Sequence, residues 1–264
     1  MGIVNRAIEF VNGLGSTGNG NTPRSWPAGL QRDEVERRLA SAERSLSRLD
    51  LTGADLVGVD LSGVDLSHAN LRDAKLAGCN LEGANLTDSC LCNADLTGAN
   101  LRGAVLRNAN GLRSGSMRPV VMERADLTGA DACGADLTRA RLAGAVFERA
   151  ILTEASLHKA DLRGARLAGA ALNGANLRHA HLEEADLSSA TLDAADLCGV
   201  VAHGARFAGA RCRRANLGGA ILRGSRLQGA TLHGADLDGA ILEAADLEGT
   251  DFSGAHNRAH SPIQ

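Results

Sequence analysis

The sequence predicts an all-β solenoid, a tube wound from short parallel sides, and three observations carry that prediction. Leu stands at every fifth residue from Leu46 to Leu106, thirteen consecutive times. From Met122 to Phe252 the spacing continues over twenty-seven more centres, with Met, Phe, Ala or Cys replacing Leu at 122, 132, 147, 202, 207, 212 and 252. A small residue, nearly always Ala, precedes the centres by two places, so the unit reads Ala-Asp/Asn-Leu-x-Gly. The composition agrees: 264 residues contain 32 Gly, four Phe, one Trp and no Tyr, which leaves an aliphatic core.

A period of five excludes a helix, because steps of 100° per residue scatter the Leu around the axis instead of lining one stripe. In a strand, Ala inward, Asp outward, Leu inward and x outward is good alternation, and the fifth residue must turn. Gly suits that corner. Each unit is thus one side and one corner, and coils stack as in a parallel sheet. A narrow tube admits Ala beside the corner and Leu at the centre, while larger groups overpack it. The outward residues Val201, Ile221 and Ile241 recur at 20-residue intervals, as do Arg206 and Arg226, which predicts four units per coil. Forty centres then give about ten coils.

These Ala-(Asp/Asn)-Leu-x-x units resemble the pentapeptide repeat family over roughly residues 46 to 255. The resemblance implies a right-handed quadrilateral parallel β-helix. It also implies a general likeness to the members of the family that bind DNA gyrase or topoisomerase IV and confer fluoroquinolone resistance. In those relatives the rod is a dimer joined through its C-terminal coils, and in some a projecting loop engages the enzyme. Here Leu rather than Phe dominates the centres, and the net charge is only -3.

The repeats run in two blocks, 50–110 and 120–255, with a projecting loop expected at 111–119. From Leu106 to Leu127 is 21 residues, one more than four units. A one-residue slip would turn the core face outward, so the insertion must leave the tube, and its Gly, Ser and Pro suit a loop. Arg113, Met117 and Arg118 are its candidate partner-binding residues, against the alternative of a tolerated insertion. Residues 1–29 are expected to hold a short helix, or a tail, and a flexible linker. Over 30–49, Val35, Leu39, Ala42, Leu46 and Leu49 form an apolar stripe that predicts a capping helix over the first β edge. Residues 256–264 are a polar tail too short to cap the other end, which a second subunit could cover.

No constellation for catalysis emerges. Most acids sit at the Asp/Asn position of the unit, where a short side chain bonds nearby backbone. His179 and His181 beside Glu183 and Glu184 form the one cluster of metal-like types, and no metal or cofactor is expected from it. Cys90 and Cys92 fall on outward positions of one side, able to bind or oxidise or simply to be surface thiols; Cys79 and Cys212 are small core fillers. No apolar run is long enough to span a bilayer, the first residues do not lead one to expect a secretory leader, and stacking aromatics for nucleic acid are few. A cytoplasmic protein with no membrane and no direct nucleic-acid contact is expected.

Charge is segregated near the C-terminus. From Val200 to Ala230 there are six Arg and no acid; from Thr231 to Ala255 there are six acids, Asp236, Asp238, Glu243, Asp246, Glu248 and Asp251, and no Lys or Arg. Asp50, Asp55, Asp60 and Asp65 mark the opposite end. Those acids are the candidate interaction surface, and Val201, Ile221 and Ile241 the candidate face of a homodimer. The function expected is a non-catalytic interaction rod imitating DNA toward gyrase or topoisomerase IV; the alternative is a scaffold or adaptor docking another protein.

Overall fold

The computed structural model describes residues 38–42, 44–111 and 119–257. Each side donates the residue before its centre to a parallel bridge with the residue 20 places later: Ser45 with Asp65, Asp50 with Asn70, Asp55 with Lys75, Asp60 with Asn80. Those four pairs open the four faces of the tube, numbered one to four in that order. Leu51 N–H donates to Asn70 O at 2.8 Å, and Asn70 N–H donates back to Leu49 O at 2.9 Å, so each side is tied to its neighbour coil in both directions.

Among the described residues, each corner of the repeats is a β-turn. Ala54 N–H donates to Leu51 O at 3.0 Å, and Gly53 between them has φ 69°. A positive φ at the third residue of the turn is what type II geometry demands. Where Gly is replaced the backbone holds the same conformation, as at Glu154 (φ 59°), Ala194 (φ 56°) and Arg214 (φ 56°).

Alternation sends Ala and Leu into one continuous core along the tube, and Phe147 and Phe207 fit into it on the fourth face, fully buried. Outside, Asp or Asn carboxylates and amides accept from the N–H two residues on, for example Thr97 N–H to Asp95 Oδ1 at 2.9 Å. Amides also bridge coils, as Asn80 Nδ2 donates to Asp60 Oδ1 at 3.0 Å. The unit's polar position therefore holds each corner to its side and each coil to the next.

The break after Asn110 differs from the expected one-residue slip. Asp95, Asn100, Val105 and Asn110 pair with Val121, Asp126, Asp131 and Asp136, a step of 26 instead of 20. Gly111 takes the centre of its side: its N–H donates to Asp136 O at 2.7 Å, as a central Leu would. The insertion is thus six residues, placed between the second and third faces, and the inward register survives. A Cβ on Gly111 would lie 2.7 Å from Asp136 O and 2.9 Å from Val120 Cγ1, so no Leu could stand there. The loop residues Leu112 to Arg118, with Arg113, Met117 and Arg118, lie outside the described residues.

The capping helix expected over 30–49 is corrected at its C-terminal end. Helical backbone is described only at 38–40, and Ser45 already pairs with Asp65. Leu46 is a core centre whose N–H donates to Asp65 O at 2.7 Å, because burying it in the tube gains both that bond and a closed apolar neighbour. Leu39 is buried against the same core. Arg44 completes the end: its guanidinium donates to Ser62 O at 2.9 Å and Asp60 O at 3.2 Å. Residues 1–37, including Trp26 and the short helix expected near the start, lie outside the described residues.

At the C-terminal end Leu242, Leu247 and Phe252 are only half-buried, although they pack on the core. Their N–H groups meet no backbone acceptor among the described residues. Among the described residues that end is therefore an apolar plug with no further coil paired to it.

Candidate interaction surfaces

The tube sorts outward residues into columns, and the columns define the surfaces. Val201, Ile221 and Ile241 follow one another on the third face through consecutive bridges, ending at Ile241, which is 41% exposed. Another exposed aliphatic, Ile151 on the first face, is 41% exposed and pairs with Ala171.

The six acids near the C-terminus do not share a column. Asp236, Asp246 and Asp251 stand on the second, fourth and first faces, and Asp238, Glu243 and Glu248 on the turns that follow a side. They encircle the end of the rod. At the other end Asp50, Asp55, Asp60 and Asp65 occupy all four faces in turn. Carboxylates thus ring both ends, a grouping that a linear run of acids conceals.

The arginine belt is partly compensated within the chain. Arg206 Nη1 lies 3.8 Å from Asp186 Oδ2, Arg211 Nε 2.8 Å from Asp193 Oδ2, and Arg223 Nη2 2.6 Å from Glu243 Oε2. Such exposed pairs stabilise little, about 0–1 kcal/mol each, but they reduce the positive field. Arg213 and Arg214 line a surface recess of about 590 Å³ with Asp193, His233 and Asp251, mixing both signs. The hydroxyl and N–H of Ser253 hold the Asp251 carboxyl below its ordinary pKa, so it stays charged at neutral pH.

One column was not singled out by sequence. The second face runs Asp50, Asn70, Cys90, Asn110, Asp136, Ser156, Asn176, Asp196, Asn216, Asp236 and His256, with no Lys or Arg in it, and His256 Nε2 lies 3.7 Å from Asp236 Oδ1. Its signal was the absence of Lys and Arg at 20-residue steps on either side of the insertion, from Asp50 to Asn110 and from Asp136 to Asp236. Asp196 accepts from Asn216 Nδ2 at 3.1 Å and from Arg178 Nη1 at 3.1 Å, so even here a neighbouring turn lends a cation.

The histidine cluster dissolves in three dimensions. His181 Nδ1 lies 3.2 Å from Glu183 Oε1, whereas His179 turns to the corner and stacks edge-on with His158 at 6.0 Å between centroids. Burial, then the neighbouring Lys159, push the His158 pKa down. Among the described residues no three His, Cys, Asp or Glu gather as a metal site. No helix among them is long and apolar enough to cross a membrane. Cys92, expected on the surface, is corrected: it is fully buried, folded against the turn with its Sγ 3.6 Å from Asn110 O, while Cys90 stays half-buried.

A family model of pentapeptide repeats matches the chain in 8 copies, over residues 45–83, 79–110, 120–142, 134–169, 165–201 and 205–243. The chain belongs to the pentapeptide repeat family. Its tube is accordingly the family's right-handed quadrilateral β-helix. Among solved pentapeptide repeat structures, HetL from the cyanobacterium Nostoc sp. strain PCC 7120, involved in heterocyst differentiation regulation, is 30% identical, over 88% of this chain and 98% of that one, with a TM-score of 0.43. QnrB1, a plasmid-mediated fluoroquinolone resistance protein, is 19% identical, over 81% of this chain and 88% of that one, with a TM-score of 0.31. A pentapeptide repeat protein from the Arabidopsis thaliana thylakoid lumen is 30% identical, over 39% of this chain and 68% of that one, with a TM-score of 0.25. No curated protein sequence matches the chain.

Proposed function

We propose that this pentapeptide repeat protein is a non-catalytic, cytoplasmic interaction rod that presents carboxylates to the DNA-binding groove of DNA gyrase or topoisomerase IV and so gives fluoroquinolone resistance. The observation that carries the proposal is the second face, a column of Asp, Asn, Ser and Cys from Asp50 to Asp236 without a base. Its ends join the two carboxylate rings. A rigid rod of this kind offers spaced negative charge to a groove built for phosphates. The pairing of Arg206, Arg211 and Arg223 inside the chain removes part of the opposing charge. In this proposal the rod has about ten coils and an N-terminal helical cap, the loop with Arg113, Met117 and Arg118 adds contacts, and neither DNA nor a membrane is bound.

The rod acts as a homodimer, through Val201, Ile221 and Ile241 or through the half-buried terminal plug of Leu242, Leu247 and Phe252. Sedimentation separates the two interfaces: Ile221→Arg with Ile241→Arg yields monomer if the column is used and leaves the dimer if the plug is used. The functional test is gyrase supercoiling with and without a quinolone at low salt. Replacing Asp136, Asp196, Asp236, Asp246 and Asp251 by Asn keeps shape and removes charge, and protection should fall and should also weaken steeply with salt. A wild-type rod that neither inhibits nor protects either enzyme refutes the DNA-mimic function. The scaffold function then stands in its place, favoured by the same aliphatic column as a docking face for another protein.

A further inference from the structure

We propose that Cys90 and Cys92 form a two-thiolate site for a soft monovalent metal ion, Cu(I). The two thiols flank Leu91 on the second face, Cys90 half-buried and Cys92 fully buried, and their sulfurs lie 3.2 Å apart. Strand alternation places residues i and i+2 on one side of the chain, and the turn after Leu91 folds Cys92 back toward Cys90. Two-coordinate Cu(I) is near-linear and needs its sulfurs further apart than this thiol–thiol contact, an opening that rotation of the half-buried Cys90 side chain provides.

The donor set selects the ion. Thiolate sulfur is a soft ligand that favours Cu(I) over hard cations. Structural zinc takes four ligands, usually in a tetrahedron, and among the described residues no group of three or more His, Cys, Asp or Glu is placed to hold a metal ion. Cu(I) is satisfied by two. Binding replaces both thiol protons: two S–H groups and Cu⁺ give a bis-thiolate complex of charge -1 and two released protons, with no change in oxidation state.

The surroundings suit that anion. Arg72 stands one coil before Cys92 in the same column, since Asp73 N–H donates to Cys92 O at 3.0 Å. The Arg72 Nε is buried and meets no hydrogen-bond acceptor. An orphaned buried donor on a cation is costly, and an anionic metal–thiolate complex in the same recess supplies a countercharge to that guanidinium. Arg72, His68, Asp88, Ser89, Cys90 and Asn110 line one surface recess of about 400 Å³, which gives an ion a path to the half-buried Cys90. The remaining cysteines offer no such pair: burial pushes the Cys79 thiol up to about 12, and Cys133 and Cys198 stand on separate coils.

The test is anaerobic titration of the fully reduced chain with Cu(I), supplied as its acetonitrile complex, in competition with the chromophoric chelator bicinchoninate. One equivalent retained per chain is expected, with affinity rising with pH because two protons leave. Cys90→Ser, at a half-exposed position that leaves the tube intact, should abolish retention, as should Cys92→Ala if its melting transition is preserved. Arg72→Met should weaken binding about 10-fold, the usual scale for a group that supports metal ligands from outside. Cys133→Ser should change nothing. Failure to retain copper, or equal retention by Cys90→Ser, overturns the site.

Discussion

Replacing Leu167 by Ala tests whether the tube can relax around a hole. Leu167 is fully buried on the fourth face, one coil after Phe147 and one before Leu187. Losing its side chain costs the transfer term, and whatever cavity remains adds to that, for a total of about 2–5 kcal/mol across buried Leu sites. The structure places this site in the upper half of that range. Arg166 N–H donates to Ala145 O at 2.9 Å and Leu167 N–H to Asp186 O at 2.6 Å, so both neighbouring coils hold the wall at strand spacing and it cannot close inward. A cost of about 4 kcal/mol follows. In a solenoid each coil rests only on its neighbours, so the loss should appear as local opening. At about 1.4 kcal/mol per tenfold, hydrogen exchange of amides from 147 to 187 should accelerate by nearly three decades, while the coils near Leu61 keep their protection. Leu167→Asp, which buries an unpaired charge, should melt the middle of the rod outright. The control is outward: Arg166→Ala, whose side chain pairs with Glu148 on the surface, should cost under about 1 kcal/mol. An effect of Leu167→Ala no larger than that control would refute the inward register and the rigid wall together.

Three further outcomes follow from particular positions. Gly111→Ala should destabilise by about 1–3 kcal/mol in urea unfolding, because its Cβ meets backbone at Asp136 O and the Val120 side chain; a neutral result would remove Gly111 from the centre of its side. Ala194→Gly should stabilise by up to about 1 kcal/mol, since φ of 56° strains a Cβ and not Gly, and calorimetry showing a loss would contradict that corner. In acid, the side chain of Arg163 holds the Asp161 carboxyl below its ordinary 3.8, and the hydroxyl of Thr52 does so for Asp50. A carboxyl with a folded pKa below its unfolded one adds stability that is present above 3.8 and lost as pH falls through the folded value. Melting temperature should therefore drop below about pH 4, and Asp161→Asn should flatten that dependence; an acid-insensitive wild type would refute it.

Much of this architecture is legible in the residues because a five-residue unit leaves the chain one way to bury Ala and Leu together. The ladder pairs Val201 to Ile221 and Ile221 to Ile241 follow from spacing alone. What spacing misses is whatever breaks its own signal. Gly111 holds a centre without a Leu, so a six-residue insertion resembles a one-residue slip. Cys92 occupies a nominally outward place, yet a small side chain can fold under the turn where Arg or Glu would extend into water. Leu46 and Leu49 match a helical stripe as well as they match the tube, and only the bond from Leu46 to Asp65 O decides between them. The candidate surfaces suffer more: a run of acids in sequence becomes a ring in space, and partners such as Asp186 for Arg206 lie a whole coil away.

The six-residue insertion sits at a corner, and that location sets a rule for how such a chain can change length. An added segment at a corner leaves every later residue on its own face, as Val121, Asp126, Asp131 and Asp136 remain stacked on Asp95, Asn100, Val105 and Asn110. Losing 20 residues shortens the rod by one coil and also preserves each face. Losing five keeps the core intact but rotates everything downstream by a quarter turn, so the Val201, Ile221 and Ile241 column would move to a different side relative to Cys90 and Asp50. For residues that enter or leave the tube itself, fold and surface thus obey different arithmetic: the tube tolerates any multiple of five, whereas a binding face that spans several coils survives only multiples of 20. Length variants that fold equally well would in that way separate into those that keep a partner and those that lose it.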